Sequence, residues 1–337
     1  MKNVFGVSLP ALLIAAASVQ AGTNQDTVVV TASNASNNQL LVYDTTAALV
    51  QTVSTGGQGG VGGNAGGIAA KDGQVAVVNF GSQNVSIFKQ VGHGFQMMQL
   101  VPAASKPVSV AFGNGHLYVL GTMKVESHQM FGSHVNSNPD GVVPLYLSDG
   151  SAAQVGVVPG QLVISEKTSV IETVDLRDDG AVTGTAKVVN NLPSNPLAPF
   201  GLVTRGNNAY VTIAHSNEIS LVRNGTVLTI TGSGTEMAPC WVALVGPFLY
   251  SSNSPSKSIS RYAVYGQKIV QDAAEAATVS GFPTDIASGD GMIAVIDGGT
   301  GAGSHLSVFN RDEDGNLTLK ASTTINAPIN GIAIIGE

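Results

Sequence analysis

One phrase returns seven times at spacings of 40 to 47 residues, the composition is one of turns and short apolar runs, and each chain end holds part of a repeat. Together these predict an all-β chain: a seven-bladed β-propeller of four-stranded antiparallel blades, its ring closed by pairing of the N- and C-terminal strands. The phrase is a Pro or small residue, an apolar run, a Gly or Asn turn and a second apolar run. It starts at Ala65, Pro107, Ala152, Pro199, Pro239, Pro283 and Pro328. Two copies show the pattern, PVSVAFGNGHLYVLGT from Pro107 and PTDIASGDGMIAVIDG from Pro283.

Within a repeat the first apolar run is expected to form strand A and the second strand B. Strand C is expected at 39–43, 85–88, 171–174, 219–222, 259–262 and 306–309, and strand D after the next turn. Ser86-Ile87-Phe88 and Ile259-Ser260-Arg261-Tyr262 alternate with the period of two that puts successive side chains on opposite faces of a strand. Asp72-Gly73, Asn114-Gly115, Asn224-Gly225, Asp290-Gly291 and Asp179-Gly180 fall between runs, where a tight hairpin needs positive φ. A lone sheet of this size cannot hide its apolar faces, so the repeats must stack around a ring. The last phrase stops after one strand and the run at Thr27 to Val30 has no phrase before it, so the two ends complete one blade between them and remove the free seam. The segment 132–141 reads as a long C-to-D turn, and the Gly-rich stretch 55–67 as the loop crossing from strand D to the next strand A.

The chain of 337 residues carries 41 Gly and only 11% charged residues, against roughly 25% in an average domain, which favours sheet and turn over amphipathic helix. Residues 1–21 read as a signal peptide, with Lys2 as the charge, an apolar stretch from Val4 to Ala17 and the small-residue cleavage site Val19-Gln20-Ala21; residues 22–337 then form a single domain, secreted or periplasmic. The formal charge of −7 becomes about −8 without Lys2, which disfavours nucleic acid or an anionic membrane as partner. A single cysteine, Cys240, excludes an intramolecular disulfide and reads as a packed thiol more readily than a nucleophile. Four sequons, at Asn34, Asn84, Asn224 and Asn316, fall at turns or strand edges but match what chance gives in a chain so rich in Asn, Ser and Thr.

The phrases Ala152 to Val157 with Leu162 to Lys167, and Ala238 to Ala243 with Tyr250 to Asn253, resemble the exported branch of the lactonase-like seven-bladed propellers, the superfamily of 6-phosphogluconolactonase and carboxymuconate cyclase. The resemblance covers Thr27 to Ile335. It implies a ligand site where the D-to-A crossings and B-to-C turns meet the central channel. Enzymatic members carry His and Arg at the start of the middle A strands, whereas this chain has Ser151-Ala152-Ala153-Gln154 and Ala198-Pro199-Phe200-Gly201. A phosphorylated lactone thereby loses its expected anchor.

Lactone chemistry needs a proton mover and a donor or cation against the carbonyl or carboxylate. The catalytic candidates at that face are Glu166 and Lys167, an adjacent acid and base at the end of strand B of the fourth blade, and His215 at a similar corner of the fifth. Each also reads as a solvated turn residue. The ligand-binding candidates are Asn79 and Asn253 at strand B ends, Asp285 and Asn330 at the start of strand A, and Trp241, the only tryptophan. Turn chemistry, channel water and packing between blades are their structural alternatives. Glu126, His128 and His134 match no common metal spacing, Gly59 to Gly67 lacks the Lys-Ser/Thr of a phosphate loop, and no Gly-x-Ser-x-Gly elbow occurs, so neither metal nor cofactor is expected. Two classes stay open: an exported enzyme that hydrolyses, cyclises or isomerises a small lactone or unsaturated carboxylate, and a non-catalytic propeller binding a small molecule, glycan or protein.

Overall fold

The structure, a computed structural model, describes residues 27–62, 66–92, 94–193, 198–298 and 303–336. The expected signal segment, the cleavage point near Gly22 and the phrase start at Ala65 lie outside the described residues. The chain is a seven-bladed β-propeller. Blade 1 is formed by the last strand and the first three, in the order Asn330–Ile335, Val28–Ala32, Gln39–Asp44 and Leu49–Ser54. The closing pair is antiparallel, with Val28 opposite Ile335 and Thr31 opposite Ile332.

Each later blade runs A to D in chain order, from the channel outward. The A strands are Ile68–Lys71, Pro107–Gly113, Ala152–Val158, Pro199–Arg205, Pro239–Val245 and Phe282–Gly289 for blades 2 to 7. Four of the five expected turns, at Asp72-Gly73, Asn114-Gly115, Asn224-Gly225 and Asp290-Gly291, hold both residues at positive φ, the mirror-image geometry that follows the twist of a hairpin. At Asp179-Gly180 only the glycine does so. The C-to-D connection of blade 3 differs from the expected open turn. His134–Val135 forms an additional short strand on strand C, because Val135 is fully buried against the blade core and its carbonyl accepts a 2.6 Å bond from Gln99 of blade 2.

Apolar clusters fill the wedges between blades, and buried tyrosine hydroxyls cross them. Tyr118 of blade 3 donates to the Gly180 carbonyl of blade 4, and Tyr250 of blade 6 to Gly315 of blade 7, both at 2.7 Å. Each hydroxyl therefore satisfies itself while strapping a neighbour's outer turn to its own second strand.

A feature that two-residue periodicity cannot reveal sits in the A strands. The pairing of A with B slips after the leading residue of blades 3 to 7, between Pro107 and Ser109, Ala152 and Gln154, Pro199 and Leu202, Pro239 and Trp241, and Pro283 and Asp285. These are bulges, which bend a strand and re-aim the next side chain. The channel neck is built from them.

Candidate functional site

Counting two residues from each phrase start gives Gly67, Ser109, Gln154, Gly201, Trp241, Asp285 and Asn330, one position repeated around the neck. Gly66, just before the first of these, lies across the lumen. Its carbonyl accepts the Val110 amide of blade 3 at 2.9 Å, and its amide donates to Asp285 Oδ2 of blade 7 at 3.3 Å. A Cβ on Gly66 would sit 2.7 Å from Ser109 Oγ and 3.0 Å from Gln154 Nε2, and φ is +66°, so sterics and backbone both demand glycine. Gly66→Val should lower the urea midpoint by the equivalent of about 2–4 kcal/mol; an unchanged midpoint would show that the crossing is dispensable.

On the A-to-B-turn side of Gly66 two hollows of about 190 and 450 Å³ share Gly66, Ile68, Gln154, Leu202, Val203 and Ser288. Their walls are mostly Val, Leu, Ile and Ala, and Asp285 is the one charged side chain among the lining residues. Asp285 is 5% exposed. Its Oδ1 accepts the Ile286 amide at 2.8 Å, and burial pushes its carboxyl up to about 7 against the opposing pull of the Ile286, Gly66 and Ile332 amides. Across the neck, Gln154 Oε1 accepts the Leu202 amide at 2.7 Å, which turns the Nε2 donor toward Gly66. A proton-holding carboxyl and an amide donor thus end an otherwise apolar tube.

The candidates read from sequence distribute differently. Glu166, Lys167 and His215 line neither hollow. Glu166 is fully buried inside blade 4, where Oε2 accepts the Ser151 hydroxyl at 2.8 Å and Oε1 has no partner; burial raises its carboxyl to about 7. The half-buried Lys167 ammonium lies 5.8 Å from the Phe200 ring centre, and desolvation lowers its pKa, with Glu166 acting in the opposite direction. His215 is exposed on the one-turn 3₁₀ segment Ala214–Ser216.

Asn79 spends every polar atom inside the fold, donating to Asn84 and Ser86 and accepting from Asn38 and Thr55, and Asn253 does the same with Ser258, Ser260 and Ser251. Nothing is left on either for a ligand. Trp241 packs edge-on against Phe200 at 5.4 Å within the wedge between blades, with a buried Nε1 lacking a partner. Asn330 lies against Gly67, where a Cβ would come 2.2 Å from its Nδ2. Only Asp285 of the eight opens onto the hollows.

Sequence reasoning passed over Glu172. It is fully buried, its Oε2 accepts the Tyr146 amide at 2.7 Å, its Oε1 is unpartnered, and burial raises it to about 8. The register sets Glu166 opposite Val170 and Ile164 opposite Glu172, so both carboxyls share one face as diagonal neighbours. In blades 2 and 6 the same two positions hold Asn79 with Ser86 and Asn253 with Ser260, an amide donating to a hydroxyl. That equivalence, visible once the blades are aligned, is the signal that could have found the pair.

Both oxygens of Glu126 accept the Ala104 amide, His128 Nδ1 donates to the Asn136 carbonyl at 2.8 Å, and His134 is exposed. Among the described residues no three His, Cys, Asp or Glu side chains gather where a metal could be held. The Cys240 thiol is buried, and burial pushes it up to about 12, which keeps it protonated.

No protein-family model and no curated protein matches the sequence. Among solved structures, a protein of Desulfotomaculum acetoxidans of unknown function superposes with a TM-score of 0.70 at 15% identity, covering 92% of this chain and 99% of that one. A Bacteroides fragilis protein provisionally assigned as a 6-phosphogluconolactonase gives 0.67 at 12%, covering 92% and 98%. Virginiamycin B lyase from Staphylococcus aureus gives 0.59 at 15%, covering 78% and 86%. This chain shares their fold. Identity this low carries the propeller architecture and leaves the chemistry to the residues of the channel.

Proposed function

We propose that the protein is an exported, lactonase-like propeller that admits a small uncharged lactone or ester to the A-to-B side of its channel and hydrolyses it with Asp285 as the proton-transfer group. The observation that carries this reading is charge. Among the described residues Asp285, buried and with its carboxyl raised to about 7, is the one ionisable side chain lining the hollows, and no Lys or Arg lies there to hold a phosphate or carboxylate. The resemblance to the lactonase-like propellers and the provisional name of the Bacteroides neighbour supply lactone chemistry; the missing cation narrows it to neutral substrates.

The step follows from the residues. The Asp285 carboxylate takes a proton from water as the water oxygen bonds to the carbonyl carbon, and Gln154 Nε2 donates to the oxyanion that forms. Collapse breaks the ring C–O bond, and the leaving oxygen takes the proton back from Asp285, giving a hydroxy acid. The carboxylate is the active form, so rate should rise with pH through about 7.

A panel of neutral and phosphorylated lactones assayed on purified protein tests this. Turnover is expected for neutral members alone, with Asp285→Asn lowering kcat by about a hundredfold or more and Glu166→Gln leaving it unchanged. Turnover that persists in Asp285→Asn removes the assignment. A second reading, capture of a neutral ligand without turnover, is favoured by the backbone amides already held by both Asp285 oxygens; saturable binding with no product would select it.

A further inference from the structure

Strand D of blade 7, Leu317–Ile325, and strand D of blade 1, Leu49–Ser54, flank the seam of the ring. Leu41, Tyr43, Leu306 and Ile325 fill the inner part of the wedge between them, and hollows lie at its outer edge. Two hollows occupy it, about 370 Å³ beside Thr323 to Ala327 and about 530 Å³ beside Lys320 and the Asp44 to Thr46 turn. The two hollows share no lining residue.

The upper hollow has a distinct chemistry. No charged side chain lines it, its floor is Leu41 with exposed Leu49 at one wall, and around them stand Gln39, Tyr43, Thr52, Thr323 and Asn326. None of these five side chains has a hydrogen-bond partner among the described residues, although Tyr43 is only 4% exposed. A buried tyrosine normally finds a partner for its hydroxyl. Here the hydroxyl remains accessible at the cleft, and burial raises its pKa. Apolar floor, neutral amides and hydroxyls, and no charge together complement a molecule that presents C–H faces and hydroxyl edges. An anionic polymer would find no cation in this hollow; Arg311 and Lys320, the latter bonded to Thr45 Oγ1 at 2.9 Å, belong to the lower one.

From this we infer that the upper hollow at the seam between blades 7 and 1 binds an uncharged oligosaccharide, with Tyr43 and Asn326 as principal hydrogen-bonding residues. The site is separate from the channel and does not depend on lactone chemistry.

Calorimetric and NMR titration of the full chain with maltotriose, cellotriose, laminaritriose and chitotriose tests the inference. At least one trisaccharide should bind saturably. Tyr43→Phe, which keeps the ring in the seam core, and Asn326→Ala, which is exposed, should each weaken it about three- to tenfold, the loss of one or two neutral hydrogen bonds. Asp285→Asn should leave saccharide binding as in the wild type, which separates this result from the fate of the channel reading. Absence of saturable binding for all four sugars overturns the inference. So does unaltered affinity in both variants, or a preference for an extended peptide or a uronate oligomer over the neutral sugars.

Discussion

Removal of residues 328–337 should leave a chain that no longer unfolds cooperatively and loses most of its sheet signal in far-ultraviolet circular dichroism. The segment supplies the innermost strand of blade 1, buries Ile329, Ile332 and Ile335, and pairs Asn330 to Ile335 with Val28 to Ala32. Three buried isoleucines are worth roughly 5–9 kcal/mol by transfer alone, against a whole-domain stability of about 5–15 kcal/mol. The lost partner also exposes a row of backbone groups on the first strand and opens the wedges to blades 7 and 2. Ile332→Ala, by contrast, should cost about 2–4 kcal/mol and keep a single transition. A cooperative, sheet-rich truncated chain would mean that the remaining strands hold the ring without the closing pair.

Stability should fall as pH rises from about 5 to about 8.5, the reverse of the trend set by surface ion pairs. Three buried carboxyls cause it. Glu166 is raised to about 7, Glu172 to about 8 and Asp285 to about 7, in each case chiefly by burial. A carboxyl whose folded pKa exceeds its unfolded value binds its proton more tightly when folded, so its contribution is complete below the unfolded pKa and is lost as pH climbs through the folded one. The window therefore runs from the ordinary carboxylate range to about 8. Each unit of difference is worth about 1.4 kcal/mol, and the three together should amount to several kcal/mol, less than their sum because Glu166 and Glu172 titrate as a pair. Geometry points the same way: Glu166 Oε1 and Glu172 Oε1 are buried on one face with no partner among the described residues, where a second negative charge is disfavoured. Surface carboxyls such as Asp44, held down by the Thr46 hydroxyl, and Asp175, held down by Lys187, act in the opposite sense but below this window. Glu172→Gln should flatten the profile and raise stability at the alkaline end, measured by urea unfolding at both pH values. A wild-type midpoint that climbs between them would contradict the account.

The architecture was legible because seven copies of a phrase average out the ambiguity of any one short apolar run. Paired Asp-Gly and Asn-Gly turns fixed the hairpins, and the incomplete phrases at the two ends fixed the closure. The site was less legible, for reasons that can be named. Alternation reports which side of a strand a residue faces, yet the inner strands carry bulges between Pro107 and Ser109 and between Pro283 and Asp285 that reset that count. Glu166 reads as a solvated corner residue beside Lys167, whereas the blade packs it fully inside. Asn79 and Asn253 look free to meet a ligand until Ser86 and Ser260, seven residues on, are brought beside them. Gly66 is one of many glycines in its stretch, and its place across the lumen depends on Val110 and Asp285, 44 and 219 residues away in sequence.

Because the first sheet takes its innermost strand from Asn330–Ile335, the strand Val28–Ala32 waits for a partner made some 300 residues later. A nascent chain emerging from the ribosome can assemble its middle sheets as they appear, but the circle locks only once Asn330–Ile335 has emerged. Contacts joining positions some 300 residues apart, such as the Thr31 hydroxyl on the Gly331 carbonyl at 2.7 Å, place the slow step of maturation at that last event.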